Sequence, residues 1–189
     1  VSNRYLNPDS TFQKPDDPYA KGGLVLHMLR ERLGDDVFFK GVRLYIDRFK
    51  YGSVETDDFR RVLEEVSGQS LERFFEQWTM RPGLPRLASD VVWNESTSTL
   101  DITIEQTQKI DRFNPAYAFS LPVVLKFADG SIHRLSVDTD RKIAKLSTPL
   151  AAKPVQVTFD PSVTVAAPME LRTKLNDSPS EPAPTGATK

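Results

Sequence analysis

The sequence predicts an α+β protein whose two classes are segregated along the chain: an α-helical part first, then an all-β immunoglobulin-like sandwich. Three observations carry this expectation. Apolar residues recur at helical spacing from Asp17 to about Trp78. The stretch RPGLPRL, residues 81–87, then interrupts the pattern with two prolines and a glycine. Beyond it, apolar and polar residues alternate, as in strands with one wet face. The predicted organisation is a helical domain over residues 1–84, a β-sandwich over 85–168 and a disordered tail or linker over 169–189.

Each element has its own signal. Asp17 is a suitable cap for the first helix and Pro18 suits its first position, where a missing N–H costs nothing. That helix should run to Leu33 and stop at Gly34. The second, DDVFFKGVRLYIDRFK, sets Phe38, Val42, Tyr45, Ile46 and Phe49 on one stripe. Thr56 is the expected cap of the third, whose stripe is Phe59, Val62, Leu63 and Val66, with Gly68 as its end. Ser70 is the expected cap of the fourth, in which Leu71, Phe74, Phe75 and Trp78 face one way as core. In the second part, TLDITIEQT alternates as a strand, and LPVVLKFADGSIHRLSV reads as a hairpin with a tight primed turn at Asp129-Gly130. Val155, Val157 and Phe159 alternate again, whereas NDSPSEPAPTGATK lacks core-forming side chains.

Composition narrows the function classes. A chain of 189 residues with 39% hydrophobic content has enough apolar material for a substantial core. A net charge of −1 supplies no field for nucleic acid or an anionic membrane surface. No apolar run approaches the roughly 18 residues of a membrane span, so the chain is expected to be soluble. It contains no cysteine, which removes disulfides and thiolate chemistry and leaves the compartment open. It begins at Val rather than Met and is expected to be a segment of a longer protein.

Several chemistries fail on their residues. Gly22-Gly23 has no preceding strand and is not a dinucleotide fingerprint. Asp35-Asp36 and Asp57-Asp58 open helices, where the dipole favours carboxylates, and need no catalytic reading. No serine has a histidine partner in sequence context. His27 and Glu31 form an i, i+4 pair, but two ligands hold a metal weakly and an ordinary surface pair explains them. Lys21, in the first helical turn, reads as a solvated side chain. Gly22 and Gly23 each cost up to about 1 kcal/mol relative to alanine in a helix, so they imply close approach of a backbone or substrate to that face.

The stretches PYAKGGLVLHMLRERLGDDVFFKGVRLYIDRF and TDDFRRVLEEVSGQSLERFFEQWTMRPGLP resemble the second half of the catalytic domain of aminopeptidase N-like zinc metallopeptidases, the gluzincin group that includes leukotriene hydrolase. IEQTQ, FSLPVVLKFADG and VTFDP are similar to the β-sandwich that follows this domain in that family. The resemblance implies an enzyme that removes N-terminal residues from peptides with zinc-activated water. It assigns Tyr19 the role of donating a hydrogen bond to the oxyanion of the tetrahedral intermediate. A phenol suits that task because it remains a protonated donor near neutral pH, and an oxyanion donor is typically worth about 10²–10³ in rate. The family's H-E-x-x-H motif is absent, and only two histidines, His27 and His133, are present. Zinc is therefore expected to be bound by residues outside this chain, which contributes no metal ligand and is expected to be inactive alone. The expected partners are peptide substrates and the upstream catalytic half, not nucleic acid or membrane. Two other readings remain at this level: a zinc-less relative serving as a scaffold, and an autonomous binding module.

Overall fold

The computed structural model describes residues 18–172 and 175. Helices come first: α1 (Pro18–Leu33), α2 (Asp35–Phe49), α3 (Thr56–Ser67) and the short α4 (Glu72–Phe75), which runs directly into a π-helical turn, Glu76–Met80. Seven strands follow: β1 (Leu87–Asn94), β2 (Thr99–Gln106), β3 (Phe119–Lys126), β4 (Ile132–Thr139), β5 (Ile143–Pro149), β6 (Gln156–Phe159) and β7 (Met169–Leu171). They form two sheets, ordered β5-β2-β1-β7 and β4-β3-β6. The architecture is thus α+β, with no strand before Leu87 and no helix after it among the described residues.

The helix boundaries follow local chemistry, with two corrections to the expected caps. Pro18 opens α1 as anticipated, while its expected cap, Asp17, lies outside the described residues. Gly34 and Gly68 end α1 and α3 with φ of 77° and 68°, the left-handed region that side chains resist. The cap of α3 is Glu55 rather than Thr56, because the Asp58 carboxylate reaches back to accept the Glu55 N–H at 2.9 Å. Ser70 does not cap α4 either. The Leu71 N–H instead donates to the Glu64 carboxylate at 2.6 Å, so the end of α3 closes the start of α4. Leu71, Phe74, Phe75 and Trp78 are all buried, as their spacing predicts. The stripe of α2 is only partly covered: Phe38 is buried, yet Ile46 is 56% exposed. Phe38, Val42, Tyr45 and Ile46 line an open apolar groove of about 650 Å³ with Leu26 of α1 and Phe59 of α3.

Strand β2 alternates as expected, burying Leu100, Ile102 and Ile104, and β3 buries Leu121, Val123 and Leu125. These residues join Leu29, Phe74 and Trp78 of the helices in one apolar core. All strand pairings are antiparallel except that of β7 with β1, which is parallel. The hairpin β3–β4 closes differently from the primed two-residue turn. The Gly130 N–H donates to the Phe127 carbonyl at 3.0 Å, and only Gly130 takes positive φ, 83°. This is a longer loop in which one left-handed glycine follows an ordinary turn. Residues 169–171, expected in the tail, form β7; residues 176–189 lie outside the described residues. No helix among the described residues is long and apolar enough to cross a membrane.

Candidate functional site

The first two turns of α1 present two opposed faces. At 100° per residue, Lys21, Val25, Met28 and Leu29 share one side, and all four are buried. Tyr19 lies 200° from Lys21 and is 76% exposed, so its ring stands outside the helical core. Gly22, Gly23 and Leu26 fall on the side of Tyr19. Apart from the adjacent residues and the backbone of α1 itself, no described heavy atom lies within 4 Å of a Cβ built on either glycine, so the close approach expected at these positions is not made by the described residues. Leu26 is exposed and lines the apolar groove, so the face that carries Tyr19 continues into α2 and α3.

Lys21 corrects the sequence expectation. It is 1% exposed, and its Nζ donates to the Arg81 carbonyl at 2.9 Å. An ammonium is retained in the interior only when it is well bonded, and an acceptor 60 residues away leaves no trace in the local pattern. Arg81 lies in the segment between helices and strands. Its Nη2 donates to Asn114 Oδ1 at 2.8 Å and to the Pro115 carbonyl. Its guanidinium carbon sits 3.9 Å from the centroid of the Tyr117 ring, a cation–π stack, and Tyr117 in turn packs on Trp78 with centroids 5.1 Å apart.

Two glutamines clamp the same loop. Gln77 donates to the Ala118 carbonyl at 3.1 Å and accepts its N–H at 2.8 Å. Gln106 does the same for Tyr117, at 2.7 and 2.8 Å. Burial pushes the Tyr117 phenol above its ordinary pKa, and the Arg81 charge works in the opposite direction. Tyr117 Oη and Arg81 Nε are buried with no hydrogen-bond partner among the described residues.

The remaining candidates do not assemble a metal centre. His27 Nε2 lies 2.8 Å from the Ser162 carbonyl, which gives the ring a structural partner in the loop after β6. His133 is on β4, in the other part of the chain. Among the described residues there is no group of three or more His, Asp or Glu side chains able to hold a metal ion. The described residues do not supply the donor set of a catalytic zinc. A separate cleft of about 460 Å³ opens between the helices and β3, lined by Met28, Arg32, Phe74, Trp78, Phe119 and Val165; Tyr19 is not part of it.

Residues 2–78 match the peptidase family M1 domain. The chain is 38% identical over 74 residues to aminopeptidase N of Lactococcus lactis subsp. lactis, covering 39% of this chain and 9% of that protein. It is 28% identical over 130 residues to aminopeptidase 2 of Candida albicans, covering 69% of this chain and 14% of that protein. The chain therefore spans about a tenth of the length of the curated relatives it matches. A crystal structure of Legionella pneumophila aminopeptidase A in complex with aspartic acid shares the fold over 88% of this chain and 19% of that one, with a TM-score of 0.64 at 17% identity.

Proposed function

We propose that this chain, whose helical part is peptidase family M1 sequence of the aminopeptidase N-like kind, is the C-terminal portion of a metallo-aminopeptidase catalytic unit with its following sandwich. In this reading the helical part, to about residue 84, forms one wall of the substrate cleft. The two sheets, an immunoglobulin-like sandwich from about residue 85, brace that wall. The parent enzyme would remove N-terminal residues from peptides, and this chain alone would be inactive. Zinc would supply the activated water and would be held by residues outside this chain.

The role of this chain's own residues is then specific. As a peptide carbonyl is attacked, negative charge grows on its oxygen, and the Tyr19 phenol donates its O–H to that oxygen. A donor fixed on a helix does this without reorganising at the moment of reaction. The observation that carries the reading is that Tyr19 sits at the second residue of α1 within the M1 match and stands 76% exposed on the face that leads into the groove, not sealed in the core.

Tyr19→Phe in the full-length polypeptide tests it. Hydrolysis of aminoacyl p-nitroanilides should fall by about 10²–10³ in kcat with metal content unchanged. An unaltered rate removes the role assigned to the phenol.

A further inference from the structure

Lys21 raises a question that the proposed role of Tyr19 leaves unanswered. The other buried residues of α1 are apolar, and an apolar side chain at position 21 would avoid the cost of desolvating an ammonium. Among the described contacts, the ammonium adds a directional bond to a particular oxygen. That oxygen, the Arg81 carbonyl, belongs to a residue whose own side chain is fixed to Asn114, Pro115 and the Tyr117 ring. The loop holding these partners is in turn clamped by Gln77 and Gln106.

Building on the reading of Tyr19, we propose that Lys21 and Arg81 are positioning residues: the Lys21–Arg81 bond sets where the start of α1, and with it the Tyr19 phenol, stands relative to the sheets. Tyr19 precedes Lys21 by two residues on the same helix, one outward and the other inward, so a shift at the Lys21 pivot is carried to the ring. Apolar packing fixes the helix against the core without favouring one particular oxygen; a hydrogen bond to the Arg81 carbonyl adds a directional restraint at the helix start. Misplacement of a catalytic group by about 1 Å can cost on the order of 10²-fold in rate.

Lys21→Met keeps the aliphatic stem and removes the ammonium. In the full-length polypeptide it should lower kcat by about 10- to 100-fold, with KM changed less than about twofold. In a Tyr19→Phe background the same substitution should cost almost nothing further, because the group it positions is already gone. A general structural role predicts the same loss in both backgrounds, and that result, or no loss in either, overturns the proposal. Asn114→Ala removes one of the Arg81 side-chain bonds, leaving those to the Pro115 carbonyl and the Tyr117 ring, and should show the same dependence on Tyr19 with a smaller loss.

A second readout separates this inference from the catalytic one. With 3-fluorotyrosine in the full-length polypeptide, the ¹⁹F resonance of Tyr19, assigned by its loss in Tyr19→Phe, should shift or broaden in Lys21→Met while that of Tyr45, assigned by Tyr45→Phe, stays. An unchanged resonance sinks the tether. A changed resonance beside an unaltered Tyr19→Phe rate keeps the tether and removes the catalytic role.

Discussion

Replacing Gly22 and Gly23 together by alanine should make this chain more stable. Both lie inside α1, and a methyl group at either meets no described heavy atom within 4 Å beyond the adjacent residues and the helix's own backbone. Steric cost is therefore absent and helix propensity alone decides the sign. Alanine is favoured over glycine by about 0.5–1 kcal/mol per position, chiefly because glycine loses more backbone freedom on folding. The pair should add about 1–2 kcal/mol, which for a domain of this size raises Tm by about 2–8 °C. Differential scanning calorimetry of the chain with and without the two substitutions measures it directly. A fall in Tm would mean that something already fills this face, and the reasoning would fail. In the full-length polypeptide the same substitutions should lower kcat/KM, since the glycines then border the proposed cleft. Stabilised alone and impaired in the whole is the pattern that distinguishes a functional glycine pair from an incidental one.

Two further substitutions probe the supporting structure. Burial acts to raise the pKa of the Glu64 carboxyl, but the Leu71 N–H and Arg60 together outweigh it and hold it below the ordinary 4.5. A carboxyl depressed in the folded state contributes its stability in full above the unfolded pKa and loses it as pH falls through the folded value. Glu64→Gln should accordingly cost about 1–3 kcal/mol in urea melts at neutral pH and far less in acid; an equal gap at both would contradict the assignment. Tyr117→Phe removes a buried hydroxyl that has no partner among the described residues while keeping the ring under Arg81. Stability should be unchanged or up to about 1 kcal/mol higher, and a loss above 1 kcal/mol would show that the hydroxyl is bonded in solution.

What could be read from the sequence was local. The helices announce themselves through apolar stripes and through Gly34 and Gly68, because those signals lie within a few residues of the feature they specify. Strands β2 and β3 are legible for the same reason: their buried residues alternate without interruption. Strand β5 buries only Ala144 fully at the edge of its sheet, and β7 is three residues long, so neither carries enough pattern to be recognised. The caps of α3 and α4 differ from the expected Thr56 and Ser70, which are good generic caps, because carboxylates on Asp58 and Glu64 supply the bonds. Lys21 illustrates the limit most clearly. A lysine on a first turn is ordinarily solvated, and only the return of the chain 60 residues later makes position 21 interior.

Tyr19 and the groove, which arise from different elements, form one continuous surface. Leu26 is seven residues beyond Tyr19 on nearly the same side of α1, about 10 Å along the axis, and it lines the groove with Phe38, Val42 and Ile46 of α2. A body that covers these apolar side chains and extends about 10 Å further toward the start of α1 reaches the phenol. Apolar area left open on a helix stripe is costly in water, which favours a neighbour there; under the proposed role of Tyr19, its outward phenol requires a polar reacting group there. Both requirements are met at once if the neighbour is the rest of an aminopeptidase catalytic unit, packed on the groove with its substrate cleft opening over Tyr19. On that arrangement the inward bond of Lys21 and the outward ring of Tyr19 are two ends of one device: the first fixes the helix to the sheets, and the second uses that fixed point.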